Sequence, residues 1–322
     1  MTAWRPASGP AAARRRAALL ERVRGHFAAT GALEVDTPAL SAFANTDPAL
    51  ASFEVTAGDG RRLYLATSPE SCMKRLLAAG YPDIFSIARV FRDAESGARH
   101  LPEFTLIEWY RLGHELDAIV ADTVALVAAC LEQPGLGAKL VRLDYADAFA
   151  RYAGIDVFSA PADALADAAG ADAELRRVLG PDRDAWLDLL LETRVVPALD
   201  PAAPTVLAHF PADKAALARL CPADPRVADR FELFLGGLEL ANGYVELTDP
   251  AEQRRRFDAE LAWRAARGLP ALPRDELLLA ALDAGLPQCA GVALGAERLQ
   301  MVYDATREIT DVVTFGAHTD DG

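Results

Sequence analysis

The chain has 322 residues, 52% of them hydrophobic and 25% charged, and a formal charge of −14 at pH 7. That composition can bury a full core in one large or two small domains, which excludes a disordered or fibrous chain, and the acidic balance excludes nucleic-acid binding through bulk positive charge. The charge is uneven: residues 1–111 carry 14 basic and 12 acidic side chains and residues 112–322 carry 19 and 35, so an anionic ligand is expected against the first third. In chain order, residues 11–29 follow helical spacing, with Leu19, Leu20, Val23 and Phe27 on one stripe and Gly31 suited to a left-handed cap. Residues 32–35 are extended and stop at Thr37-Pro38. Residues 63–66 read as a strand, and Pro69 opens a helix that runs through Ala79 and closes at Gly80. Residues 84–92 and 103–111 are strands rich in aromatic and branched side chains, joined by a polar loop.

Residues 118–131 form a helix, and residues 160–199 are Ala/Asp-rich and helical, broken at Gly180-Pro181. Strands return at 205–210 and 231–235, and after Gly236-Gly237 another lies within 238–247. A helix covers 250–267, a short strand at 291–295 runs into a helix from Ala296, and residues 311–315 are a terminal apolar run. There is no internal repeat and no separating linker, so residues 1–322 read as a single domain. Helices inserted between strands without regular βαβ alternation favour an α+β fold with a mostly antiparallel sheet over a doubly wound one. No GxGxxG follows a strand and no GxxxxGK[ST] occurs, so neither a Rossmann nor a P-loop site is available.

Cys72, Cys130, Cys221 and Cys289 lie far apart without CxxC spacing, which reads as free, mostly buried thiols in a reducing cytoplasm. Arg14, Arg15 and Arg16 are followed by Ala-Ala-Leu-Leu-Glu-Arg rather than an apolar run, so no signal peptide is expected. The Arg-rich start has some transit-peptide character, but its helical pattern runs on into the fold. The longest apolar stretch, 118–131, contains Asp122 and falls short of the ~18 residues of a membrane span. A soluble cytoplasmic protein without a membrane partner is expected.

Three segments collect the chemistry. Phe91-Arg92-Asp93-Ala94-Glu95-Ser96-Gly97-Ala98-Arg99-His100 places two arginines and a potentially cationic histidine in a loop between strands. On the strand that follows, alternation puts Phe104, Leu106, Glu108 and Tyr110 on one face. A solvated hairpin with one core Phe would also fit this segment. In the second, Glu232, Glu239 and Glu246 lie in a largely apolar stretch, where carboxylates are costly to bury unless they meet cations or a metal. Asn242, Tyr244 and Glu246 share a face by parity, and Glu239 joins them only if a bulge intervenes at the glycines. A solvent-facing strand is the alternative. In the third, Gly291-Val292-Ala293-Leu294-Gly295-Ala296-Glu297-Arg298, the glycines allow close approach to the backbone. Arg298 falls in the first turn of a helix, where a cation opposes the dipole unless an anion sits between them. A packing strand explains this spacing as well.

Taken together these segments resemble the signature motifs of class II aminoacyl-tRNA synthetases, most closely the lysine branch. Gly31-Ala32-Leu33-Glu34-Val35-Asp36-Thr37-Pro38 is similar to motif 1, with Pro38 at the dimer-forming position. Phe91-Arg92 through Arg99-His100 and Pro102-Glu103-Phe104 resemble motif 2, and Gly291–Arg298 resembles motif 3. Thr67-Ser68-Pro69-Glu70 with Met73-Lys74-Arg75-Leu76, and the run from Glu239 to Glu246, are similar to lysine-branch segments outside these motifs. Only thirty residues precede Gly31, where lysyl-tRNA synthetases carry an anticodon-binding OB domain. In that respect the chain resembles a truncated branch, the elongation factor P–(R)-β-lysine ligases, which use ATP to activate β-lysine and transfer it to a lysine of elongation factor P rather than to tRNA.

The resemblance implies ATP as substrate and Mg²⁺ as cofactor. Catalysis would fall to Arg92, on the α-phosphate and the amino-acid carboxylate, and to Arg298 and His100, on the β- and γ-phosphates. Phe104 would stack under the adenine with Arg298 on its other side. Asp93, Arg99, Glu239, Leu240 and Gly295 would complete the ATP site, and Glu232 and Glu239 would hold the metal. Glu70 and Glu108 would face the amino group near the carboxylate, Glu246 and Tyr110 the distal ammonium, and Asn242 the carboxylate. Ser68, Pro69, Tyr244 and Ala293 would complete the pocket for (R)-β-lysine or lysine. Ala293 stands where lysyl-tRNA synthetases usually have glycine, which would reshape the floor toward β-lysine. Ala94 and Leu101 depart from the family pattern, removing a carboxylate expected near the adenine and an amide expected near the phosphates or metal; Glu95 would substitute if the loop shifts. A homodimer, elongation factor P as partner and no tRNA follow from the same resemblance. The +5 balance of residues 1–30 suits docking of an acidic protein. A non-catalytic regulator of this fold and a ligase charging another carrier are the alternatives, and the retained arginines and carboxylates favour an active enzyme.

Overall fold

The computed structural model describes residues 4–93 and 95–316. Helix α1 (Pro10–Thr30) opens on a proline, whose missing N–H would have no helical partner there, and closes at Gly31 in the left-handed region, φ 78°. Its buried stripe of Leu19, Val23 and Phe27 follows the predicted spacing. Strand β1 (Leu33–Glu34) leads to a small antiparallel sheet of β2 (Leu40–Ser41), β3 (Glu54–Thr56) and β4 (Arg62–Leu65), in the order β2-β4-β3. Helix α2 (Glu70–Ala78), the long hairpin of β5 (Ile84–Phe91) and β6 (Glu103–Leu112), and helix α3 (Leu116–Cys130) fall where the sequence predicts them.

Next come β7 (Val141–Asp144) and a helical insertion of α4 (Tyr145–Tyr152), α5 (Ala162–Ala169), α6 (Ala173–Leu179) and α7 (Arg183–Leu190). The predicted break at Gly180-Pro181 separates α6 from α7. Strands β8 (Thr205–Ala208), β9 (Leu220–Cys221), β10 (Asp224–Ala228), β11 (Arg230–Leu235) and β12 (Leu238–Val245) follow. The chain then forms α8 (Pro250–Ala266), α9 (Glu276–Gly285), β13 (Cys289–Gly295) and α10 (Ala296–Asp304). The terminal apolar run is not a strand: after a 3₁₀ turn at Ile309–Asp311, Val312 and Val313 are buried as single side chains against the core.

The eight-stranded sheet has the order β1-β5-β6-β13-β12-β11-β8-β7. Every pairing from β5 to β8 is antiparallel, and only the edge strands β1 and β7 pair in parallel. This is the mostly antiparallel α+β sheet that the sequence predicts. One face packs on α1, α3 and α10 through Leu19, Phe27, Trp109, Val120, Val292 and Leu299. A second cluster, with Tyr145, Phe149, Trp186 and Phe210, seats the helical insertion on the far edge. No helix among the described residues is long and apolar enough to cross a membrane. Cys130 and Cys289 are buried and Cys72 and Cys221 half-buried, all four as free thiols.

Candidate active site

The face of the sheet turned away from α1 and α3 forms a cleft of about 400 Å³. Its floor is set by strand register. Glu108, Ala293 and Asn242 lie side by side across β6, β13 and β12, and Tyr110, Gly291 and Tyr244 form the next row. Because alternate side chains share a face, Phe104, Leu106, Glu108 and Tyr110 all line the cleft, as parity requires. Gly291 has to be glycine: a Cβ there would lie 2.5 Å from both Glu246 Oε1 and Tyr110 Cε1. A Cβ at Gly243 would likewise meet Phe231 Cε1 at 2.7 Å on the opposite face.

One end of the cleft is acidic and enclosed. Glu70 opens α2, and one turn later Lys74 places its ammonium 2.6 Å from Glu70 Oε1 and 2.5 Å from Glu246 Oε2. Lys74, Glu108 and Glu246 are each no more than 3% exposed. Tyr244 donates to Glu70 at 2.7 Å and Tyr110 to Glu108 at 2.6 Å. Glu108 Oε2 and both carboxylate oxygens of Glu246 accept no hydrogen bond among the described residues, Glu246 Oε2 meeting Lys74 as an ion pair. Burial, reinforced by the charge on Glu70, pushes the Glu108 carboxyl up to about 8. Burial works against the Lys74 charge, but Glu246 and Glu70 outweigh it and raise the ammonium's pKa, while burial pushes the Glu246 carboxyl up to about 8. Ser68, Asn242 and Ala293 line this same space.

The other end is basic. Arg92 lies 5.1 Å from the Phe104 ring and 3.4 Å from Glu95 Oε1, and donates to the Thr67 carbonyl at 3.4 Å. Arg298, in the first turn of α10, donates to the Glu239 carboxylate at 3.2 Å and the Glu239 carbonyl at 3.0 Å. That carboxylate is the anion which offsets a cation at a helix N-terminus. Arg298 also donates to His100 Nε2 at 2.5 Å. Burial, then the Arg298 charge, lowers the His100 pKa below 6.5, so this imidazole is a neutral acceptor that fixes Arg298 rather than a third cation. Arg99 donates to the Gly237 carbonyl at 3.3 Å from the rim. Leu240 and Gly295 line the floor at this end.

Glu239 reaches the cleft through a bulge, but not at the glycines. Leu233 pairs with Ala241 and Phe234 with Glu239, which leaves Leu240 as the extra residue of β12. Leu240 and Ala241 both turn into the core and Glu239 returns to the face of Asn242. Glu232 sits opposite Asn242 in register, just behind the cleft wall, 2.7 Å from Arg230. Burial, then the Glu239 charge, pushes the Glu232 carboxyl up to about 8. Two neighbouring carboxylates supply the hard oxygen ligands a divalent cation such as Mg²⁺ takes, so the donor set fits that ion. Among the described residues one other group has metal-ligand chemistry. His209, Cys221 and Asp229 hold their ligand atoms within 4.8 Å, but Arg219 already grips Asp229 at 2.6 Å and Asp144 holds His209 at 2.8 Å.

Two expected contacts lie elsewhere. Pro69 is the N-cap of α2 and lines a separate groove beside Pro38, and the Asp93 backbone N–H bonds the Ala51 carbonyl outside the cleft wall. Ala94 lies outside the described residues. Leu101 is 3% exposed and packs into the core, so its apolar side chain serves the fold as well as the cleft wall. Arg230, Asn45 and Glu260 line the cleft without a role assigned from the sequence, and Lys74, likewise unassigned, stands one layer behind, where it holds Glu70 and Glu246. Lys74 carried a signal, since it stands four residues after Glu70 on one helix face. Glu260 receives a hydrogen bond from Thr46, and burial pushes its carboxyl up to about 7.

The family of class II tRNA synthetases (D, K and N) matches residues 4–319, and the chain belongs to it. Members of this class use ATP. Relatives from Photorhabdus laumondii subsp. laumondii and Klebsiella pneumoniae are each 43% identical to the chain, over 319 and 320 residues, covering 97% of both proteins in each case. A relative from Salmonella paratyphi B is 42% identical over 320 residues with the same coverage. All three bear the name elongation factor P–(R)-β-lysine ligase.

Proposed function

We propose that this chain activates (R)-β-lysine with ATP and transfers it to a lysine side chain of elongation factor P in the cytoplasm. The observation that carries the reading is one continuous cleft with two buried carboxylates, Glu108 and Glu246, and the half-buried Glu70 at one end and Arg92, Arg99 and Arg298 at the other. The acidic end suits a substrate with two ammonium groups, and the basic end suits a triphosphate. A carboxylate oxygen of β-lysine attacks the α-phosphorus, the bond to pyrophosphate breaks, and an acyl-adenylate forms. The uncharged amine of the target lysine then attacks the acyl carbon, AMP leaves with the bond's electron pair, and the amine proton passes to solvent.

Arg92 binds the carboxylate and the α-phosphate together, which aligns the reacting atoms. Arg298, fixed by Glu239 and His100, binds the departing phosphates, and Phe104 and Arg298 bracket the adenine. Glu95 takes the place of the carboxylate that Ala94 lacks. Glu232 and Glu239 would hold Mg²⁺, which when bound offsets charge on the pyrophosphate. Glu70, Glu108, Tyr110 and Glu246 receive the two ammonium groups, and Asn242 and Ala293 shape the floor between them. Two copies would join across residues 31–38, where Leu33 is 47% exposed.

The test is incubation with ATP, (R)-β-lysine and elongation factor P, followed by intact-mass measurement of the factor. A gain of one β-lysyl group is expected, with pyrophosphate exchange faster for (R)-β-lysine than for α-lysine. Equal exchange rates would remove the β-lysine assignment, and an unmodified factor would remove the acceptor.

A further inference from the structure

Lys74 is the one group in the acidic end that has the substrate's own charge, and the reaction proposed above gives it no role. It is 1% exposed, and its ammonium lies 2.6 Å from Glu70 and 2.5 Å from Glu246. The groups facing it come from several elements. Glu70 is on its own helix, Glu108 and Tyr110 are on β6, Tyr244 is on β12 with its ring centroid 5.6 Å away, Glu246 follows β12, and Cys289 is on β13. Behind it, α9 packs on α2 through the apolar Leu278, Leu279 and Leu282.

We propose that Lys74 is a positioning and charge-setting residue: it takes one oxygen from each of Glu70 and Glu246 and, with the carboxylates ionised, leaves the enclosed end two negative charges short of neutrality, matching a substrate with two ammonium groups. The inference rests on reading this cleft as a pocket for a lysine-type amino acid.

The charge count explains the geometry. In the empty cleft Glu108 and Glu246 hold protons up to about 8; once these leave, three ionised carboxylates and one ammonium give −2, which the two ammonium groups of β-lysine neutralise, while its carboxylate goes to Arg92. An amino acid with a single ammonium would leave an unpaired buried carboxylate, the costly case. The ion pair with Lys74 occupies Glu246 Oε2 and leaves Oε1 as the oxygen turned away from that ammonium. Without Lys74 the end would carry −3, and its carboxylates would hold protons to higher pH. Substrate with two ammonium groups would then bind well only at higher pH, because binding requires those protons to leave.

The experiment follows pyrophosphate exchange against pH in the full-length protein, for the wild type, Lys74→Met, and Lys74→Met with Glu70→Gln. Lys74→Met should move the alkaline-going limb of 1/KM for β-lysine up by about one pH unit, about tenfold in KM at fixed pH below the limb. The KM for ATP should stay within about twofold. The double variant restores −2 and should return the limb toward its wild-type position; it also provides a neutralised pocket if Lys74→Met alone fails to fold. A lysine that only filled space would change the melting temperature and leave the limb in place, which would overturn the proposal. Failure of the double variant to restore the limb would overturn it too. A wild type that exchanges with no amino acid would overturn the proposed function and this inference together, whereas wild-type exchange without the shifts overturns this inference alone.

Discussion

Gly291 has no side chain because Glu246 and Tyr110 occupy the space one would need. An alanine Cβ would lie 2.5 Å from both, and neither neighbour can yield freely: the Tyr110 ring is rigid and buried, and Lys74 anchors Glu246. Gly291→Ala is therefore expected to raise the KM for β-lysine by on the order of tenfold or more and to cost about 1–3 kcal/mol of stability, as overpacking does. The KM for ATP should not change, since Arg92, Arg298 and Phe104 belong to the other end. Exchange kinetics with each substrate varied in turn check this, and an unchanged KM for β-lysine would put the amine site elsewhere. At this scale the sequence was legible where one strand sufficed: alternation alone placed Glu108 and Tyr110 beside Phe104. It was silent where contact joins distant segments, as between Glu70 and Tyr244, 174 residues apart. Arg230, and Lys74 in its hold on Glu246, belong to that second kind, since nothing local says which distant segment a side chain will meet.

Among the elements, β12 is the one whose detail decides the site. Parity puts Glu239 on the core face, and only the extra residue Leu240 returns it to the cleft. A bulge has no required residue type, so its presence was conceivable from the sequence but its position was not. Helix α9 is a different case. Its signals were present, in Asp275 before an apolar run and in Leu278, Leu279 and Leu282 at helical spacing, but the segment is short and bounded by prolines. Asp275 accepts from the backbone N–H groups of Leu277 and Leu278 and also bonds Ser71 of α2. It thus caps α9 and ties it to the helix that carries Glu70 and Lys74. Asp275→Ala should cost about 1 kcal/mol, the usual value of an N-cap, read as a lowered urea midpoint with unchanged slope. The rate at saturating substrates should be unaffected, because the cap touches no substrate-facing group. A loss of rate without a loss of stability would show that α9 acts on the site directly.

For the molecule as a whole, the opposed charges of the cleft shape its response to pH. The acidic C-terminal two-thirds of the sequence is mostly surface, but Glu108 and Glu232 are buried carboxyls, each pushed up to about 8 by burial and a neighbouring carboxylate. In the unfolded chain such groups ionise near 4.5. Between those values the folded state holds protons that the unfolded state has lost, so stability falls as pH rises through the window, by at most about 1.4 kcal/mol per pH unit per group. Carboxylates held low, such as Asp122 and Glu252 at about 2, have given their full contribution by pH 5 and add no slope above it. His100 acts in the opposite sense, since its lowered pKa makes stability rise with pH, but only below about 6.5. The interval from pH 6.5 to 8 therefore isolates the buried carboxyls. The protein without ligands should lose at least about 3 °C in melting temperature across that interval. Glu108→Gln should lessen the loss, because an amide has no proton to give up. Saturating β-lysine and Mg²⁺-ATP should flatten it, since the ammonium groups and the metal favour the ionised carboxylates that alkaline pH produces. A melting temperature that is flat or rising from pH 6.5 to 8 without ligands would mean that these carboxyls are already ionised in the empty cleft.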